Sequence, residues 1–265
     1  MQPEITSTAN PKIKNLVLLQ KPRERKKQGV FLIEGRKEIT LAVKAGYLLE
    51  SVYYCEQLIA RDEVENLLNL PELRLVSVSA EVFDKIAVRE GSGGLLAVAR
   101  LRPHSLSDLK LSKSPLVLVL ESVEKPGNLG AILRTADAAG VDAVIICDPL
   151  TDFYNPNVIR SSVGCVFTNQ IASASSQATI DWLKQQNIAI YCTYLKASFT
   201  YYKTDFTIPS AIVLGTEATG LSDIWVENAT ANIIIPMRAI DSMNVSTTAA
   251  VVIFEAVRQK RIQIV

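Results

Sequence analysis

Six short, mostly apolar runs recur through the second half of the chain, at 116–120, 143–147, 166–171, 188–193, 211–214 and 232–235. They limit its fold more than any other feature. Helical patterns lie between and after them, at 129–139, 156–163, 177–187, 222–228 and 246–261. Runs that are apolar throughout, rather than alternately apolar and polar, read as strands buried on both faces. That pattern belongs to a parallel sheet covered by helices, so the fold class expected is α/β.

The preceding stretch is a smaller α/β unit. Strands are expected at 31–34, 51–55, 74–77 and 95–99, with helices at 36–45, 61–69 and about 79–88. Residues 101–114 are polar, Ser-rich and Pro-containing, and mark a linker. The expected organisation is therefore 1–100, a linker at 101–114, and a larger domain at 115–265. For 265 residues that is an ordinary division, and 48% hydrophobic content suffices for two packed cores.

Several classes are disfavoured. No run approaches the roughly 18–20 apolar residues of a membrane span, and the N-terminus lacks a secretory pattern. The four cysteines (Cys55, Cys147, Cys165, Cys192) are far apart with one histidine among them, so neither zinc nor a disulfide framework is expected. A reducing, cytoplasmic setting follows. His104 lies in the linker, where a solvated role is expected, and with no other imidazole a Ser-His-Asp mechanism is close to excluded.

The net charge of +1 conceals a segregation. Residues 1–36 hold eight Lys/Arg and three acids, a local +5 that leaves the remainder at −4. Lys12, Lys14, Arg23, Arg25, Lys26, Lys27 and Arg36 are the candidates for gripping nucleic-acid phosphates from a basic helical arm.

Three segments, each just after an expected strand, could carry chemistry, since ligands of open parallel sheets bind beyond the carboxyl ends of strands. In the first, Glu121–Ala136, a Pro-Gly-Asn turn leads into a helix near Leu129 with Asn128 as N-cap and Arg134 inside. In the second, Gly215 and Gly220 have Walker A spacing, but Leu221 stands where that loop needs lysine. What remains is a Gly-framed loop around Glu217. In the third, Pro236 ends a strand, and Ser242, Asn244 and Ser246 precede a long apolar helix, flanked by Met237 and Met243. Each segment alone also fits an ordinary turn, and the dinucleotide glycine fingerprint is missing.

Together and in this order, the three resemble the SpoU (TrmH-type) family of RNA ribose 2′-O-methyltransferases of the SPOUT superfamily. Asn128, Gly130, Arg134, Thr135 and Ala136 match the family's first motif. Gly215, Glu217 and Gly220 match the second, and Ile235, Pro236, Met237, Ser242, Asn244, Val245 and Ser246 the third, with Met243 in place of the usual Leu. The 30–100 unit resembles the family's RNA substrate-binding domain, chiefly through Phe31–Gly35.

The resemblance implies a C-terminal trefoil knot, a homodimer with active sites at the subunit interface, and S-adenosylmethionine as methyl donor without metal. It implies catalytic roles for Asn128, Arg134, Glu217 and Asn244, with Arg134 binding phosphate or developing alkoxide because guanidinium stays protonated. Glu217 would pair with Arg134 or position its loop. The cofactor would lie among Leu214, Gly215, Gly220, Ile235, Met237, Ser242, Met243 and Val245. Ribosomal (23S-type) RNA is the leading substrate. Transfer RNA and an inactive RNA-binding assembly factor are the alternatives.

Overall fold

The computed structural model describes residues 4–88, 93–238 and 242–262. They form two compact units, one of residues up to Arg102 with Asp152–Thr168, the other of Pro103–Thr151 with Asn169 onward.

The first unit opens with α1 (Pro11–Leu18) and α2 (Pro22–Gln28), followed by β1 (Val30–Glu34), α3 (Arg36–Lys44) and β2 (Leu49–Tyr54). Then come α4 (Arg61–Leu68), β3 (Leu75–Ser77), α5 (Ala80–Ile86) and β4 (Leu95–Arg100). The sheet order is β1-β4-β2-β3, with β4 antiparallel to both neighbours and β3 parallel to β2. The basic lead-in is not a free arm. Asn10 Oδ1 accepts the Lys12 N–H at 2.9 Å, Pro11 supplies a preset first turn, and Ile13, Leu16 and Leu19 enter the core.

In the second unit β5 (Leu116–Glu121) leads to α6 (Pro126–Ala139) and β6 (Ala143–Cys147). The chain then supplies α7 (Pro156–Ser161) and α8 (Cys165–Thr168), which pack with the first unit. It returns as β7 (Ile171–Ala174), α9 (Ser176–Gln185), β8 (Ala189–Thr193), β9 (Phe199–Thr200), β10 (Ser210–Leu214), α10 (Asp223–Asn228), β11 (Ala231–Ile234) and α11 (Val245–Ile262). Among the described residues the sheet has seven strands in the order β7-β6-β5-β10-β8-β11-β9, every pair parallel. β5, β6 and β10 are buried along their whole length, as their unbroken apolar runs require.

Four local expectations are corrected. The 166–171 run is not a strand. Val163 at φ 54° and Gly164 at φ 82° turn the chain into α8, which buries Val166 and Phe167, and the strand begins only at Ile171. Within the first unit, Phe167 and Tyr154 join Phe31 and Tyr47 in an aromatic cluster, which explains why 152–168 leaves the contiguous 115–265 domain. The linker is ordered, with Leu106, Leu109 and Leu111 against the second core, and His104 Nδ1 lies 2.9 Å from the Ile171 carbonyl rather than in solvent. Finally, β9 adds an edge strand that its two residues were too few to announce.

Candidate active site

The register of the large sheet aligns Leu120 with Leu214, Glu121 with Cys147 and Ile233 with Thr193, so the three sequence segments leave the sheet from one end. Pro126 occupies the first helical position of α6 and Lys125 its N-cap, which moves Asn128 to the third position of the helix. It is therefore not the cap that its residue type suggested, and its side chain is spent elsewhere. Asn128 Nδ2 donates to Glu217 Oε1 at 2.7 Å. Asn244 Nδ2 reaches the same oxygen at 2.5 Å, and its Oδ1 accepts the Ser246 N–H at 3.0 Å, capping α11. The second oxygen of Glu217 pairs with Lys125.

Three of the four expected catalytic side chains thus meet on one carboxylate. Hydrogen bonding from Lys125, aided by Asn128, holds that carboxyl below its usual range, and Glu217 in turn pushes the Lys125 ammonium up. The expected pairing of Glu217 with Arg134 is not found. Arg134 lies about 9 Å further along α6 than Asn128 at the usual helical rise. It is exposed, and among the described residues it makes no hydrogen bond or ion pair.

The second loop is built on backbone contact. A Cβ at Gly215 would stand 2.3 Å from the Gly220 carbonyl carbon and oxygen, so only glycine allows the two legs to touch. Thr216 and Gly220 exchange N–H···O bonds of 3.1 Å across the neck. Beside this loop lies a cavity of about 380 Å³. All eight expected cofactor-site residues line it: Leu214, Gly215, Gly220, Ile235, Met237, Ser242, Met243 and Val245. Ala239, Ile240 and Asp241 of the same segment lie outside the described residues. A smaller cavity of about 80 Å³ shares Gly215, Glu217 and Val245 with it and opens on Lys125 and Asn128. Glu217 is thus common to both.

Sequence reasoning missed Tyr194, Lys196 and Asp223, which also line the larger cavity, and Lys125, the cation on Glu217. Tyr194 follows the last residue of β8, so the rule that ligands gather beyond strand ends was the available signal. Nothing in the spacing announced Lys125, 92 positions from its partner.

The basic candidates of the first unit divide. Lys12, Lys14, Arg23, Lys26 and Lys27 are exposed and form no ion pair among the described residues. Arg25 is corrected. It is 1% exposed, its Nη2 lies 2.7 Å from Asp152 Oδ2, and its Nη1 donates to the carbonyls of Leu19 and Gln20. It faces inward because Arg25 lies on the core side of α2, and its charge is already neutralised. Arg36 is held by Glu63 and the carbonyls of Gly93 and Leu58, leaving it only half free. Among the described residues no group of three or more His, Cys, Asp or Glu could hold a metal. No helix there is long and apolar enough to cross a membrane.

The SpoU rRNA Methylase family profile matches residues 115–254, and an MRM3-like substrate binding domain profile matches residues 10–97. A solved RNA 2′-O ribose methyltransferase is 41% identical, covering 98% of this chain and 100% of its own at a TM-score of 0.85. The SpoU methyltransferase AviRb of Streptomyces viridochromogenes, solved in complex with AdoMet, is 26% identical over 95% of this chain and 98% of its own, with a TM-score of 0.88. The 23S rRNA (guanosine(2553)-2′-O)-methyltransferase RlmP of Bacillus subtilis is 28% identical over 95% of this chain and 98% of its own length. With the SpoU rRNA Methylase profile matched over residues 115–254, more than half of its length, the chain belongs to the SpoU rRNA methylase family.

Proposed function

We propose that this protein is an S-adenosylmethionine-dependent methyltransferase that modifies a ribose 2′-hydroxyl in ribosomal RNA. The observation that carries this reading is the shared wall. One carboxylate, Glu217, borders both the larger cavity and the small one beside Lys125 and Asn128. A donor and an acceptor seated in the two would meet across it. The Bacillus subtilis 23S rRNA methyltransferase RlmP among the relatives supports ribosomal RNA over transfer RNA.

The larger cavity fits S-adenosylmethionine. Its volume lies within the usual range for ligands of that size, the bare backbone at Gly215 admits close approach, and Ile235, Met237, Met243 and Val245 supply apolar walls. The bound cofactor supplies a methyl group already activated by its sulfonium, so no metal is required. The protein's own task is to orient the hydroxyl and manage its proton. Glu217, Asn128 and Asn244 hold one another rigidly, which places their remaining polar atoms in advance. Glu217 is a weak base because Lys125 and the amides already occupy its oxygens. Arg134 binds the neighbouring phosphate and stabilises charge on the acceptor oxygen, and the proton leaves to water.

The exposed cations of α1 and α2 bind the RNA backbone. The active species is a homodimer, in which the unpaired Arg134 completes its site with RNA near the partner subunit, and the C-terminal sheet carries the family's trefoil knot. The setting is the cytoplasm, where ribosomal RNA is modified. Mapping 2′-O-methyl groups by alkaline-hydrolysis protection, in RNA from cells with and without the protein, tests the assignment. A methyl lost from 23S-type RNA is expected. A methyl lost from transfer RNA would move the substrate, and no lost methyl would leave an RNA-binding factor.

A further inference from the structure

Glu121 ends β5 with a carboxylate that is 7% exposed and faces no cation among the described residues. A carboxylate so placed is costly unless donors fill its oxygens. Ser222 fills them: its N–H donates to Oε2 at 2.9 Å and its hydroxyl to Oε1 at 2.5 Å. The Ser176 hydroxyl lies 3.3 Å from Oε1 but only 2.7 Å from Asp148 Oδ2, so its proton belongs to Asp148. Ser222 stands at the N-cap of α10, yet its side chain makes no capping bond. A hydroxyl that would ordinarily serve its own helix is given to Glu121 instead.

The consequence runs through the backbone. Ser222 follows Leu221, whose nitrogen lies 2.5 Å from where a Cβ of Gly215 would be. Gly215, Thr216, Gly220 and Leu221 all line the larger cavity. Pinning Ser222 therefore pins the exit leg of the loop, and the entry leg rests against it.

We propose that Glu121 is a positioning residue for cofactor binding. By holding Ser222 it fixes the 215–220 loop and the wall that this loop gives the cavity. The proposal rests on the reading of that cavity as the S-adenosylmethionine site, and the test separates the two. Isothermal titration of the folded wild-type protein with S-adenosylmethionine comes first, and no binding there would remove that reading and the proposal with it.

With binding established, Glu121→Gln should weaken it about tenfold, as expected for loss of charge-assisted hydrogen bonds. The Michaelis constant for the cofactor should rise far more than the turnover number at saturation falls. Hydrogen exchange should quicken across 215–222 while β5 and β6 stay protected. Ser222→Ala keeps the backbone bond and should weaken binding about threefold. Phe83→Ala, in the core of the first unit, is the control for mere stability: melting should drop with affinity unchanged. Wild-type affinity in Glu121→Gln, or equal weakening in Phe83→Ala, would overturn the proposal. If Glu121→Gln does not fold, wild-type affinity in Ser222→Ala overturns it.

Discussion

Asn244 Nδ2 donates to Asn128 Oδ1 at 3.2 Å across 116 positions of sequence, joining the start of α11 to the first turn of α6. Both amides also donate to Glu217. The site is therefore a closed polar ring whose members fix one another.

Arg134 stands apart from the ring with no protein partner among the described residues, so its removal should disturb chemistry and not structure. Arg134→Ala should lower single-turnover methyl transfer by about 100-fold, the usual effect of losing one transition-state donor. Cofactor affinity and melting temperature should hold. A rate within twofold of wild type would end its catalytic assignment.

Glu217 sets the acid limit. Its folded pKa is lowered, chiefly by the Lys125 hydrogen bond, so its contribution is in place above the unfolded value and is lost as pH falls through the lowered one. Cofactor affinity should stay level from about pH 8 to about pH 5 and weaken only below the ordinary carboxylate range near 4. Titration calorimetry across that series checks it. A fall beginning near neutrality would mean that another group governs the site.

Gly215→Ala places a methyl where the Gly220 backbone already is, 2.3 Å away. No side chain can swing aside, because the obstacle is main chain. S-adenosylmethionine binding should vanish from calorimetry while the circular dichroism of the sheet persists. Retained binding would show that the loop legs can separate at little cost.

Adjacent cations on α2 should behave oppositely: Arg25 on one side, Lys26 and Lys27 on the other. Arg25→Ala leaves Asp152 without its partner and should destabilise the fold by about 2–4 kcal/mol in urea unfolding. Lys26→Ala with Lys27→Ala should leave stability unchanged, yet reduce the slope of log affinity against log salt for RNA by about 0.7–0.9 per charge. An unchanged slope would remove these lysines from the interface.

Much of this was legible in the sequence, for identifiable reasons. Leu116–Leu120 and Ala211–Leu214 read as buried strands because burial on both faces leaves no polar position. The eight residues expected to hold the cofactor line one cavity because they lie at or beyond the ends of neighbouring parallel strands. The run at 166–171 misled because a short apolar stretch fits a buried helical turn as well as a strand. Arg25 misled because composition gives a charge but not the side of the helix it faces. The hold of Lys125 on Glu217 joins residues 92 apart, a relation that only the assembled sheet creates.

The first unit borrows Asp152–Thr168 from beyond β6, and the ring stack of Phe31 on Tyr154, 4.1 Å between centroids, needs that loan. On the ribosome, then, the N-terminal core cannot be finished when its own hundred residues have emerged. It must wait until Tyr154 and Phe167 leave the exit tunnel, with β5, α6 and β6 already outside. The order of synthesis and the order of folding are interleaved, and a cut anywhere between the two units would strip one of them of part of its interior.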